Sequence, residues 1–322
     1  MRRTGNGGAG INIASTIAAW RRQIIVISAS LLCLYLPAVA ETAQTGQTSP
    51  ASPQGALFRI TRADRTLYLF GTIHVGRADF FPLEPRVMQA LDNASVLALE
   101  LDPSRTEAMS AALRRHGIAA ADADAMLPAA LKTRRRALLQ RYGIAPEAVA
   151  GMQPWLQATM LTVAEFMAGG YQPQYAVDGY LSAIFKKSGK PVQELESAES
   201  QLALFGALSQ ADQIRFLDET MAELENPAQA REAVEIVSLW RNADGPGLTA
   251  KLKKLDEDDS LTTRFTQDIL LKQRNPPLTD GLVKLLQAHR DSFAAIGILH
   301  LFGPGSVPAL LLQRGYRVEQ IY

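Results

Sequence analysis

The sequence has almost no cysteine. One thiol, that of Cys33, occurs in 322 residues, and it lies in an apolar segment near the amino terminus. The rest of the chain therefore has no disulfide, no thiol nucleophile and no thiolate ligand. A metal in the folded part would have to be held by His, Asp or Glu. Because there are only 4 histidines, the candidate sites are few.

Long apolar runs are also missing. The longest, Ile24–Leu36, has 13 apolar or small residues, which is too short to span a bilayer comfortably. It follows an acid-free basic segment, residues 1–23, and precedes the small residues Ala38-Val39-Ala40. This order predicts a signal peptide cleaved after Ala40 and a periplasmic or secreted protein. An uncleaved membrane anchor is the alternative, and Arg21-Arg22 leaves the Sec and Tat export routes both open.

The chain lacks a strong charge of either sign. It has 33 Lys and Arg against 32 Asp and Glu, and losing the four arginines of residues 1–40 leaves 29 against 32, a net charge of −3. Such a balance argues against nucleic acid or an anionic membrane as a partner. We expect a peptide or small-molecule substrate instead. Residues 41–56 are polar and small, which predicts a flexible leader before one domain over 57–322.

Strand patterns lie mainly at the two ends of this domain. The segment from about 103 to 290 is mostly helical in pattern, and a capping box of Ser104 and Glu107 is expected to open its first helix. Strands alternating with helices predict an α/β fold with a mixed, largely parallel sheet and a large helical insertion. The expected strands are Leu57–Ile60, Thr66–His74, Ser95–Leu101, Pro191–Glu196, Ser292–Leu301 and Tyr316–Tyr322.

A Gly-x-x-His motif occurs twice, each time at the end of an apolar run. The two copies are Gly71–His74 and Gly297–His300. Because strand ends in α/β folds converge on one crevice, the pair predicts a single site built from both ends of the chain. His116 and His289 lie in the last turns of predicted helices, where the helix dipole favours a cation, so we expect them to be structural.

A few charged residues are candidates to join the two histidines. Glu100 ends an apolar run, where a carboxylate is either solvated or held by a partner. Glu196 ends the next run, with Glu194 as a competitor, and Asp178 opens a helix. Arg274-Asn275 precedes two prolines and reads either as the end of a helix or as an arginine fork for a substrate carboxylate or phosphate.

Six short segments, in this order, resemble the TraB/GumN family, the bacterial relatives of the TIKI metalloproteases. They are LYLFGTIHVG (67–76), VLALELD (96–102), YAVDGY (175–180), ELES (194–197), RN (274–275) and GILHLFG (297–303). The resemblance implies an α/β fold with a helical insertion, akin to the erythromycin-esterase and ChaN group. It implies a site of His74, His300, Glu100 and Arg274, supported by Gly71, Gly297, Asp178, Glu196 and Asn275. Phe302 departs from the small or aliphatic residue expected there.

These patterns lead to the hypothesis of a metal-assisted hydrolase, with Mn, Co or Zn as the divalent metal and no organic cofactor. His74 and His300 would bind the metal, and Glu100 would be the third ligand or the general base. One alternative is a metal-free hydrolase in which His74 is the base and Glu100 orients it. Another is a non-catalytic binding or inhibitor protein. Asp102, close to Glu100, is expected at the rim and outside the chemistry.

Overall fold

The structure is a computed structural model that describes residues 52–119 and 123–322. The expected signal peptide, residues 1–40, and most of the expected leader, 41–56, lie outside the described residues. The packed part of the chain begins earlier than Leu57, because Gln54, Gly55 and Ala56 are already buried. The last three residues of the predicted leader are therefore part of the core. Among the described residues, no helix combines the length and apolar character needed to cross a membrane.

Six strands form one mixed sheet. The strands are β1 (Leu57–Arg62), β2 (Arg65–Thr72), β3 (Leu97–Leu99), β4 (Val192–Glu194), β5 (Asp291–Gly297) and β6 (Arg317–Gln320), in the spatial order β4-β3-β5-β2-β1-β6. Strands β4, β3, β5 and β2 run parallel, and β1 is antiparallel to both of its neighbours. The predicted α/β fold with a largely parallel sheet is confirmed.

Helices fill most of the chain between β3 and β5 and pack around the sheet. In chain order the described helices are α1 (Pro85–Asn93), α2 (Thr106–His116), α3 (Ala129–Arg141), α4 (Pro146–Val149), α5 (Pro154–Ala168), α6 (Val177–Lys187), α7 (Ala198–Gly206), α8 (Gln210–Glu225), α9 (Pro227–Arg241), α10 (Gly245–Leu255), α11 (Leu261–Arg264), α12 (Asn275–Ala288) and α13 (Val307–Gln313). A π-helical segment, Phe265–Lys272, continues α11, and 3₁₀ turns cover Ala78–Phe80, Pro173–Tyr175 and Ile298–Leu301. In the described residues, the segment expected to be mostly helical, from about 103 to 290, is helical for most of its length and also contains the short strand β4.

The central strands end together at one edge of the sheet. Strand β5 begins with the exposed Asp291 and becomes apolar over Phe293–Ile296, which is fully buried, as expected of a parallel strand covered on both faces. The register pairs Thr72 of β2 with Gly297 of β5, and Leu99 of β3 with Ala295. Residues that follow β2, β3 and β5 are consequently brought to the same place.

The predicted strands were too long on the side that carries the candidate site. The run Ser95–Leu101 is a strand only over Leu97–Leu99, and Ser292–Leu301 leaves the sheet at Gly297 and continues as a 3₁₀ turn. His74, Glu100 and His300 therefore lie beyond the strand ends, in loops and turns. In a strand, successive side chains point to opposite faces of the sheet. The backbone of these loops and turns is not bound by that alternation, so the three side chains can point toward one another.

Two predicted helix boundaries were wrong. The capping box of Ser104 and Glu107 does not form, because Ser104 N and Oγ both donate to the Asp102 carboxylate and α2 begins at Thr106. Arg274-Asn275 does not end a helix. It opens α12, with Arg274 at the N-cap and the two prolines in the first turn, where a missing backbone N–H costs nothing.

Candidate active site

The two Gly-x-x-His motifs pack closely against each other at their glycines. A Cβ on Gly71 would lie 2.9 Å from Leu301 Cδ1 and would overlap Ile298, so this glycine lets the turn Ile298–Leu301 lie directly on β2. A Cβ on Gly297 would lie 3.5 Å from His74 Nε2 and close to Glu100 and His300. Each glycine thus permits the close approach of the segment that carries the other motif's histidine.

His300 is buried and held in one tautomer by Asn275. His300 Nδ1 lies 2.6 Å from Asn275 Oδ1, while the amide Nδ2 of Asn275 donates to Gly305 O at 2.7 Å. Since Nδ2 is already used as a donor, Oδ1 faces the imidazole and must accept, so the proton of neutral His300 is on Nδ1. The lone pair of Nε2 then faces Glu100 Oε1, 3.8 Å away.

His74 is held by a carboxylate. Its Nδ1 lies 2.7 Å from Asp178 Oδ2, in an ionic contact whose angle is not that of an aligned hydrogen bond, and neither atom has a hydrogen-bond partner among the described residues. The other oxygen of Asp178 accepts a hydrogen bond of 2.8 Å from Thr72 Oγ1 at the end of β2. Asp178 opens α6, so this helix positions the first histidine while Nε2 faces the space beside Gly297.

Glu100 is the centre of a buried ionic network. Its Oε1 accepts a hydrogen bond of 2.6 Å from Gly297 N, and its Oε2 is bound by the Arg274 guanidinium. Arg274 also binds Glu196, with Nε 3.0 Å from Oε1. Gln201 Nε2 joins the two carboxylates, at 2.7 Å from Glu196 Oε2 and 3.3 Å from Glu100 Oε2. The Nε and Nη2 edge of the Arg274 guanidinium is therefore occupied by the two carboxylates, and Nη1 donates to Leu270 O at 3.3 Å.

The pKa values of the two histidines are shifted in opposite directions by their surroundings. Burial lowers the pKa of His300 to about 3, and Arg274 and His74 add to this effect although Glu100 opposes it. Burial would also lower the pKa of His74, but the carboxylates of Asp178 and Glu100 outweigh it and raise that pKa above its usual value. Burial would raise the pKa of Glu100, but Arg274 and both histidines hold it well below its usual range.

A small cavity lies between these groups. Its volume is about 30 Å³, and it is lined by His74, Glu100, Arg274, Gly297 and His300 together with apolar side chains such as Leu271. A water molecule or a single ion fits this volume. A Cβ on Gly297 would lie 3.3 Å from Glu100 Oε1 and 3.6 Å from His300 Cδ2, so only glycine leaves this space open.

The residues present fit a cation in their chemistry. The site contains three carboxylates and one guanidinium: Glu100 and Glu196 bind Arg274, and Asp178 lies against His74, which leaves excess negative charge in a buried place. Two imidazoles with their Nδ1 atoms against acceptors and their Nε2 atoms turned to the cavity match the usual arrangement of metal-binding histidine. Within residues 52–119 and 123–322, however, no three His, Asp or Glu side chains are drawn together to metal-ligand spacing.

Other residues singled out from the sequence lie outside the cavity. Glu194 accepts from Asp102 N and pairs with Arg105, so it is Glu196 that reaches the site. His116 Nε2 lies 2.8 Å from Glu199 Oε1 at the end of α2. Phe302 makes an edge contact with Phe58 at 6.4 Å between ring centroids, which accounts for an aromatic residue at this position.

Two residues of the site were missed by sequence reasoning. Thr72 was read only as part of a strand, and Gln201 only as part of a helix. Gln201 could not be found from the sequence, because it reaches the site only through the tertiary packing of α7, which lies against α2. Thr72 could have been named from the sequence, because it lies two residues before His74 at the end of a predicted strand.

Fold and site together define a class: α/β proteins in which histidines and a glutamate meet at the carboxyl edge of a mostly parallel sheet. The chain belongs to the TraB/PrgY/gumN family, whose family model matches residues 56–320. The predicted resemblance is thereby confirmed. The chain is similar to the uncharacterized protein YbaP of Escherichia coli (strain K12), with 29% identity over 251 residues, covering 77% of this chain and 88% of YbaP.

The uncharacterized protein YbaP of Shigella flexneri matches to the same extent, with 29% identity over 251 residues. No solved structure matches the chain. The comparisons therefore give the family, and the chemistry has to be argued from the site.

Proposed function

We propose that this chain is an exported, metal-assisted hydrolase, with peptides as the first substrates to test. One observation carries the proposal. The unprotonated Nε2 of His300 and the ionised Oε1 of Glu100 face each other at 3.8 Å across the cavity, and neither has a proton to donate. The repulsion between two facing acceptors in a buried place is relieved by a cation or a donor placed between them. Bonds of about 2.1 Å to one ion span such a gap.

His74 Nε2, His300 Nε2 and Glu100 Oε1 would hold the ion. A divalent metal in such a set of two nitrogens and one oxygen supplies a water that is activated at neutral pH. The protein groups around it have separate tasks. Asn275 fixes the tautomer of His300, Asp178 orients His74, and Arg274 keeps Glu100 ionised and in place.

The metal content of the purified protein tests the proposal. The protein is exchanged into metal-free buffer, loaded with Mn²⁺, Co²⁺ or Zn²⁺, and analysed by elemental mass spectrometry. We expect about one equivalent in the wild type and at least a tenfold loss of affinity in His74→Ala and His300→Ala. His289→Ala, in a histidine outside the cavity, is the matched control and should bind as the wild type does. Equal binding by all four proteins would contradict the proposal.

A metal-free hydrolase is the second candidate, and the pKa of His74 favours it. A base with a pKa raised above its usual value and a carboxylate 2.7 Å from Nδ1 is suited to take a proton from water. Asp178, and not Glu100 as the sequence suggested, is then the orienting group. Hydrolysis that survives extensive chelation but is lost in Asp178→Asn would decide for this mechanism. A protein that hydrolyses nothing with or without metal would leave the binding or inhibitor function.

A further inference from the structure

The backbone segments next to His74 and Asp178 are joined to each other by hydrogen bonds. Val177 N donates to Ile73 O at 3.0 Å, and Gly76 and Gln172 exchange two backbone hydrogen bonds of 3.0 and 2.7 Å. Gly76 allows this contact, because a Cβ there would collide with Tyr175 O. The inner ends of the two segments hold the reactive pair, and their outer ends form the walls of a second, larger cavity.

This second cavity is a shallow surface cleft, largely open to solvent, with a volume of about 400 Å³, and it is lined by Arg77, Ala78, Asp79, Gly170 and Tyr175. Its volume is in the range of small-ligand sites, whereas the cavity between the histidines admits only an ion or a water. Arg77 is three residues from His74, so their Cα atoms are no more than about 11 Å apart. This separation is about the length of three peptide residues, so a substrate of that length held in the cleft would span the distance to His74.

The charges of the cleft indicate what it binds. The side chain of Arg77 is 52% exposed, and its one ionic partner among the described residues is Asp79, with Nε 3.2 Å from Oδ1 and 63% of the Asp79 side chain exposed. Such exposed pairs contribute little, so the guanidinium can exchange Asp79 for a ligand carboxylate in fork geometry. Tyr175, which is half-buried, lines the same cleft.

We propose that this cleft is the substrate subsite and that it binds a carboxylate, such as the C-terminal carboxylate of a short peptide, through Arg77. The inference rests on the proposed function for the identity of the reaction, but the binding itself needs neither metal nor hydrolysis. Asp79 competes with the ligand for Arg77. The two neighbouring side chains should therefore have opposite effects on affinity.

Calorimetric titration of metal-free protein tests this inference. The probes are N-acetyl-trialanine with a free carboxylate and the same peptide with a C-terminal amide. We expect the wild type to bind the acid about tenfold more tightly than the amide, a difference of about 1.4 kcal/mol. Arg77→Gln should bind both probes alike, and Asp79→Asn should bind the acid more tightly than the wild type. Arg290→Gln, an exposed arginine before β5 at the other end of the sheet, is the control.

Equal affinity of the wild type for acid and amide, no binding of either, or unchanged discrimination in Arg77→Gln would each overturn the inference. A different result would contradict the proposed function without contradicting this inference. If the protein discriminates acid from amide but neither binds metal nor hydrolyses peptides, the subsite stands and the assignment of the reaction falls.

Discussion

At the scale of single residues, Gly297 is the position on which the cavity depends most directly. Its φ of −52° is allowed for any residue, so glycine is required there by space and not by backbone conformation. Its missing side chain leaves open the point on which Glu100 and both histidines converge.

Gly297→Ala should therefore fill the cavity while leaving the fold intact. We expect metal binding to weaken at least about tenfold, with a change in the free energy of unfolding below about 1 kcal/mol. Gly305→Ala is the matched control, because a Cβ there meets nothing within 4 Å and the residue has no positive φ. Urea denaturation and metal titration of both variants give the comparison, and a Gly297→Ala protein that binds metal normally would show that the cavity is not the site.

Glu100 and Asp102 are two carboxylates of one loop with different partners. Asp102 accepts from Ser182 Oγ at 3.1 Å and binds Lys186 Nζ at 2.6 Å, away from the histidines. Glu100→Gln should abolish metal retention, and it should also destabilise the protein, since Arg274 then keeps only Glu196 as a charged partner. Asp102→Asn should leave hydrolysis within about tenfold. The reverse pattern in a hydrolysis assay would place the chemistry at Asp102.

At the scale of secondary-structure elements, the turn Ile298–Leu301 and strand β2 are packed with no space between them. Gly71→Ala would push this turn, and His300 with it, away from the sheet. Overpacking of this kind costs about 1–3 kcal/mol. Removing the colliding methyl with Ile298→Val should restore part of the loss, so the double variant should be more stable than the sum of the single effects by at least about 0.5 kcal/mol. Additive losses in denaturation experiments would show that the two elements are not in contact.

The loop after β3 is tied to α6 by the ion pair of Asp102 and Lys186. Burial would raise the pKa of Asp102, but the hydrogen bonds from Lys186 and Ser104 outweigh it and lower this pKa below its usual value of 3.8. A lowered pKa in the folded state means that the contribution to stability is present above the unfolded-state pKa and is lost as the pH falls through the folded-state value.

Asp102→Asn should consequently be less stable than the wild type by about 1–2 kcal/mol at pH 7, the usual loss for charged hydrogen bonds. The difference should persist down to about pH 5 and shrink below it as Asp102 of the wild type becomes protonated. Urea denaturation of both proteins from pH 7 to pH 3 measures it. A difference that does not depend on pH would mean that Asp102 contributes through packing and not through its charge.

At the scale of the whole molecule, the sequence predicted what local patterns determine. The strands at the two ends of the domain, the helical segment between them and the duplicated motif were visible because each depends on residues close in the chain. Arg274 was a candidate from the sequence, but its contact with Glu100 and the presence of Gln201 in the site were not visible, since both residues come from the helical part and reach Glu100 through packing over 174 and 101 residues of separation.

The site joins the two ends of the folded chain, because His74 follows β2 and His300 follows β5. An ion bound by both histidines is bound by the folded state alone, so it should stabilise the fold by about 2.7 kcal/mol at a concentration one hundred times its Kd. For a domain of this size that is a rise in Tm of about 5–10 °C. Thermal unfolding with and without Mn²⁺, Co²⁺ or Zn²⁺ measures the rise, and His74→Ala should abolish it while His289→Ala preserves it. A Tm that no divalent ion changes would favour the metal-free mechanism, in which Asp178 alone holds His74 in place.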